Sequence, residues 1–162
     1  MNGIRPLADW VSVAVRGIEF LSPVLSLAMR LYVANVFFRA GLTKIQSWDS
    51  TLALFEYEYA VPLLSSELAA YLGTAVELVA PVLLALGLGG RLAAMVLFAF
   101  NTVAVISYPD ISPAGVKDHV LWGWLLAVIF FYGPARLSVD HLIARGLGRA
   151  GSLAPHDTPL ER

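Results

Sequence analysis

The stretch Leu92–Tyr108, LAAMVLFAFNTVAVISY, decides the fold. It carries no charged residue over a length close to that needed to cross hydrocarbon at 1.5 Å per residue, so it reads as a transmembrane helix. Immediately downstream, Val116–Ala135 repeats the pattern and is free of charge from Val120 onward. Two further apolar blocks lie upstream: Leu21–Thr43, which contains Arg30 and Arg39, and Leu68–Leu88, which contains Glu77. One such helix could be the buried core of a soluble domain, but four in succession cannot all be core in a chain of 162 residues. Composition agrees: 58% of the residues are hydrophobic and 14% charged, against about 45–50% and 25% in soluble domains. The expected fold is therefore all-α and integral to the membrane, a four-helix transmembrane bundle.

The segments between and around the spans complete the organisation. Gly87-Leu88-Gly89-Gly90 followed by Arg91 leaves room only for a tight hairpin. In Tyr108-Pro109-Asp110-Ile111-Ser112-Pro113, Ser112 reads as an N-cap and Pro113 as the first residue of the fourth helix. Gln46–Glu67 is aromatic and acidic, suited to the bilayer interface, and is expected to hold a short surface helix ended by Pro62. Residues 1–20 place Ile4, Leu7, Trp10, Val11, Ala14, Val15 and Ile18 at near-helical spacing, which predicts an N-terminal interfacial amphipathic helix. The expected division is thus 1–20 interfacial segment, 21–145 transmembrane domain, and 146–162 a Gly- and Pro-containing disordered tail. Arginine is concentrated on the side that holds both termini and the hairpin (Arg5, Arg16, Arg91, Arg136, Arg145, Arg149, Arg162), which places both termini in the cytoplasm.

Several chemistries are excluded or disfavoured. The chain has no cysteine, so disulfides, iron–sulfur clusters and thiol exchange by its own residues are ruled out. A net charge of −1 gives no basis for nucleic-acid binding. No nucleotide-binding or nucleophile motif is present, and no familiar metal-ligand spacing, so no metal site is expected. His141 and His156 fall on the side opposite His119, which argues against a bis-His haem.

What remains is the set of polar residues that the membrane must tolerate, each of which needs a partner, water or a function. If the first span enters near Ser22, Arg30 lies about 12 Å deep and Glu77 about 16 Å deep from the same side, so the two are expected to form an ion pair. Arg30, Ala34, Phe37, Gly41 and Lys44 share one face of that helix at 100° per residue, with Arg39 on the other. Pro81, four residues after Glu77, removes the partner of its backbone carbonyl and makes a small polar pocket there. Asn101 lies at mid-span in the third helix, where Asn usually bonds another helix, and His119 lies about one and a half turns into the fourth. The bland reading of all of these is helix-to-helix glue. The functional reading takes Glu77, His119, Arg30 and Lys44 as the reactive polar set, and Phe37, Trp122 and Asn101 as contacts for a bound cofactor.

These residues carry a resemblance to the DoxX family of small bacterial four-helix membrane proteins. The match runs through Arg30, Phe37-Phe38, Gly41 and Lys44, then Glu77 and Pro81, Leu86-Gly87-Leu88 with Arg91 and Ala93-Ala94, His119, Tyr132-Gly133-Pro134, and Leu137-Ser138-Val139-Asp140. Ala34-Asn35 departs from the small glycine-containing pattern expected in the first helix. The family takes its name from a membrane subunit similar to part of a thiosulfate:quinone oxidoreductase, and other members are linked to redox homeostasis with partner proteins. Lys44-Ile45-Gln46, Phe55-Glu56-Tyr57-Glu58-Tyr59 and Ile106-Ser107-Tyr108-Pro109-Asp110 resemble the subgroup associated with multinuclear iron oxidases that modify copper-binding peptides. The resemblance implies a bacterial inner-membrane subunit that serves a redox partner by binding quinone or carrying protons. The alternative is a non-enzymatic anchor, assembly or export factor for a partner such as that copper-binding peptide system.

Overall fold

Each apolar block folds into a helix long enough to span a bilayer, and among the described residues there is no strand. The computed structural model describes residues 4–133 and 137–152. Its elements are α1 (Ile4–Gln46), α2 (Trp48–Tyr57), α3 (Ser66–Leu86), α4 (Gly90–Ser107), α5 (Pro113–Tyr132) and α6 (Val139–Ser152). The four spans lie in α1, α3, α4 and α5.

The helix ends follow local chemistry. Ser65 accepts from the Leu68 N–H at the start of α3; at the start of α5, as the sequence predicts, Ser112 accepts from the Gly115 N–H with Pro113 in the first turn. Ser107 ends α4, and its carbonyl accepts from the Ala60 N–H at 2.7 Å, which ties the α2–α3 connection to the end of α4. α2 is the expected surface helix, but it stops at Tyr57, well before Pro62.

Two further boundaries differ from expectation. The N-terminal segment is helical yet continuous with the first span: α1 runs 43 residues without interruption, with Pro23 inside it. A single proline removes one helical hydrogen bond, and the apolar residues on both sides keep the helix going. The tail boundary expected at Gly146 falls inside α6. Pro134, Ala135, Arg136 and everything beyond Ser152 lie outside the described residues.

Packing sets the register that the site depends on. α1 packs chiefly on α3, α3 on α4, and α4 on α5. The main core joins Val33 and Phe37 of α1, Ala80 and Leu84 of α3, Ala93, Ala94 and Leu97 of α4, and Leu126 and Ile129 of α5. α1 and α3 approach closely at Gly41, where a Cβ would stand 3.0 Å from Glu77 Cβ and 2.9 Å from Leu78 Cδ2. A second, smaller core of Phe55, Ala69 and Ala70 seats α2 against the beginning of α3. The bundle thus has two unlike ends, one closed by α2 and its loop, the other by the α3–α4 hairpin and α6.

That register corrects one expectation directly. Arg30 does not pair with Glu77; it lies eleven residues from Gly41 toward the hairpin end, about 16 Å away along α1. Its guanidinium donates to the Leu137 carbonyl and, at 3.4 Å, to the Ala85 carbonyl. The depth match failed because it assumed that α1 enters the membrane near Ser22. The packing at Gly41, rather than any count from a helix end, fixes which residues stand level.

Candidate functional site

The α2-side half of the bundle encloses a cavity of about 360 Å³. Phe37, Ala40 and Lys44 of α1 form one wall, Leu72, Gly73, Val76 and Glu77 of α3 another, and Phe100, Val103, Ala104 and Ser107 of α4 a third. His119 and Trp122 of α5 close the fourth side, and Phe55, Tyr59, Val61, Leu64, Tyr108 and Ile111 surround the end nearest α2. A largely apolar and aromatic lining with a few convergent polar groups is the usual character of a small-molecule site.

Lys44 and Glu77 supply the first polar group. The Lys44 ammonium donates to Glu77 Oε2 at 2.6 Å and Oε1 at 2.7 Å, and both side chains are largely buried. Lys44 sits one turn past Gly41, and its stem reaches back to a carboxylate beside that close approach of the helices. The Lys44 carbonyl accepts from Thr51 Oγ1 at 2.8 Å, so α2 also holds this turn in place.

His119 supplies the second. The Asn101 amide nitrogen donates to the His119 backbone carbonyl at 2.9 Å, which orients the amide so that its Oδ1 faces His119 Nδ1 at 2.8 Å. Nδ1 therefore carries the proton and donates, and Nε2 keeps a free lone pair with no hydrogen-bond partner among the described residues. Gly123, one turn on, leaves the space that the Asn101 amide approaches.

Aromatic rings join the two groups. Trp122 meets His119 edge-to-face at 4.8 Å between centroids and Phe37 at 5.8 Å; Phe37 meets Phe100 at 6.2 Å. Tyr59 packs on Phe55 and Tyr108. Burial, and then the carboxylate of Glu77 behind it and the neighbouring Tyr108 and Glu58, push the Tyr59 phenol above its ordinary value, so it remains a hydrogen-bond donor at neutral pH.

The structure thus brings Glu77, Lys44, His119, Phe37 and Trp122 to one cavity, with Asn101 behind His119, and leaves Arg30 outside it. Residues 25–109, just over half of the chain, match the family described as DoxX. The chain belongs to the DoxX family. No curated protein and no solved structure matches it. This DoxX chain is accordingly a multi-pass membrane protein, and lipid surrounds its four spans.

Sequence reasoning missed the Lys44–Glu77 pair, because a heptad-like face shows which residues of α1 point inward but not which residue of α3 they meet. It also missed Phe55 and Tyr59 as cavity residues of this DoxX protein. Their signal in the sequence was spacing: the two rings stand four apart, with the acids Glu56 and Glu58 between them.

Proposed function

We propose that this DoxX protein is an inner-membrane subunit that takes a quinone-class carrier into the α2-side cavity and handles its protons for a redox partner. The observation that carries the reading is the convergence of Lys44–Glu77 and His119 on one aromatic-walled cavity within the membrane. A quinone ring is flat, apolar on both faces and polar at two opposite oxygens. Phe37, Trp122 and Phe100 would hold such a ring, and Lys44, Tyr59 and His119 are the polar side chains of the lining that would hydrogen-bond its oxygens. Bound there, the carrier would supply two-electron chemistry, with the electrons delivered to or taken from a partner oxidoreductase.

The chain's own residues would do the rest. Glu77 is a carboxylate within reach of a proton donor, and exchange between Lys44 and Glu77 needs no movement of either helix. His119 lines the cavity with Nε2 left as an acceptor, and a neutral imidazole held through its other nitrogen is the usual arrangement of a general base. The subgroup likeness to proteins that accompany multinuclear iron oxidases suggests the class of partner. The arginine distribution supports a topology with both termini in the cytoplasm, which would set the cavity in the outer half of the membrane.

The test is chemical and cellular. Protein purified in mild detergent is expected to retain quinone, extractable and identified by mass, and Trp122→Ala is expected to lose most of it. Glu77→Gln and His119→Ala are expected to insert and fold yet fail to complement a deletion strain's redox defect, whereas Glu56→Gln complements. The same hydrogen bonds also tie α1 to α3 and α4 to α5, which is what an anchor or assembly factor would need. Quinone-free protein together with full complementation by both variants would select that second reading.

A further inference from the structure

The face of α1 that points away from the bundle is mostly apolar, but Asn35 and Arg39 interrupt it within the span. Opposite the buried stripe of Arg30, Ala34, Phe37 and Gly41 lie Tyr32, Asn35, Arg39, Leu42 and Gln46, all exposed. Their spacing is 3-4-3-4, the interval at which one helix meets another in left-handed packing. The same interval continues toward the N-terminus through Leu25, Leu21 and Ile18, which are also exposed.

Arg39 is the telling member. Gly41 stands against Glu77 and Leu78, so Arg39 lies near the level of Val79. That is roughly 10 Å from the hairpin end of α3 and roughly 20 Å from its Ser66 end, at 1.5 Å per residue. Among the described residues its guanidinium has no partner, and Thr43 uses only its backbone carbonyl. Charged side chains at such depth almost always face protein or water and find a counter-charge. Asn35, one turn away, is likewise exposed, and Asn in a span bonds across helices.

We propose that this seam is the docking site for a membrane-spanning helix of another protein, one that carries an Asp or Glu level with Arg39. Charge decides the kind of partner. A second copy of this chain, inserted the same way round, would pack α1 in parallel and set Arg39 against Arg39. No acid of this chain stands on an exposed face at that depth among the described residues, since Glu77 is buried and paired. The partner must bring the carboxylate. The inference is independent of what the cavity binds.

The test uses the full chain in lipid vesicles, fluorescently labelled near the α2 loop. The probes are synthetic Leu-rich spanning helices of about 20 residues, with a single Asp or a single Asn at the level of Arg39, or with neither. Energy transfer is expected to show the Asp helix associating at least about fivefold more tightly than the all-Leu helix. Arg39→Leu should abolish that preference while melting and cavity ligand content stay unchanged, and Arg39→Glu should transfer it to a Lys-bearing helix. Equal association of the Asp and all-Leu helices would overturn the proposal, leaving Arg39 to reach lipid headgroups. Self-association of the chain that Arg39→Leu does not alter and that excludes the Asp helix would overturn it in favour of a homodimer.

Discussion

Lys44 and Arg30 are two cations on one face of one helix, and their surroundings give them different work. Lys44 meets a carboxylate in a half of the bundle lined by rings; Arg30 is fully buried and meets only backbone carbonyls, with Asp140 as the nearby charge. An ion pair taken out of water is costly to half-remove, because the remaining charge is left without compensation. Lys44→Met or Glu77→Leu alone is therefore expected to lower stability by about 3 kcal/mol or more, and the double variant should recover most of the loss. Arg30→Leu combined with Glu77→Leu should instead show additive losses, because those residues neither touch nor share a partner. Melting of the purified variants in one detergent measures both cycles; coupling between Arg30 and Glu77 would contradict the register described above.

At the scale of elements, the hairpin end is held by contacts between segments far apart in sequence. The Asp140 carboxylate accepts from the Gly89 N–H at 2.9 Å and the Gly90 N–H at 3.0 Å, so α6 supplies the N-terminal cap of α4. Its own N–H donates to the Gly87 carbonyl. Asp140→Ala is expected to cost about 0.5–2 kcal/mol, the range for a lost cap, and to loosen α6 in hydrogen exchange before it affects α5. The two hairpin glycines separate backbone strain from packing. Gly87 and Gly89 both have left-handed backbones, at φ +66° and +56°. A Cβ on Gly89 would meet nothing, whereas one on Gly87 would collide with the Arg30 guanidinium and stand 2.6 Å from Ser138 Cβ. Gly89→Ala should cost about 1–2 kcal/mol from backbone conformation alone, and Gly87→Ala clearly more. Equal melting shifts would mean that Arg30 does not occupy that space.

At the scale of the whole molecule, the unlike ends make a clean topological prediction. Glu58 and Asp110 are exposed at the α2 end and Arg91 at the hairpin end. The natural chain has no cysteine, so single Cys substitutions can be labelled without background. Cys at 58 or 110 is expected to react with an impermeant maleimide on intact spheroplasts, and Cys at 91 only after permeabilisation. The reverse pattern would put the α2 end, and the cavity beside it, on the cytoplasmic side, and with it the source of its protons.

The sequence alone determined what depends on neighbours along the chain. Hydrocarbon thickness converts a run of apolar residues into a span, and Ser112-Pro113 or Gly87 through Gly90 punctuate those spans by local backbone chemistry, so the number and order of the spans were legible. So was the inward face of α1, because 100° per residue needs no partner to define it. Which residues would meet was not legible. The relative height of two helices is set by where their surfaces interlock, here at Gly41 against Glu77 and Leu78, and no periodicity within one helix contains that offset. Tertiary packing alone therefore gave Glu77 to Lys44 instead of Arg30, aimed the Asn101 amide at His119, and left Arg39 facing outward without a partner among the described residues.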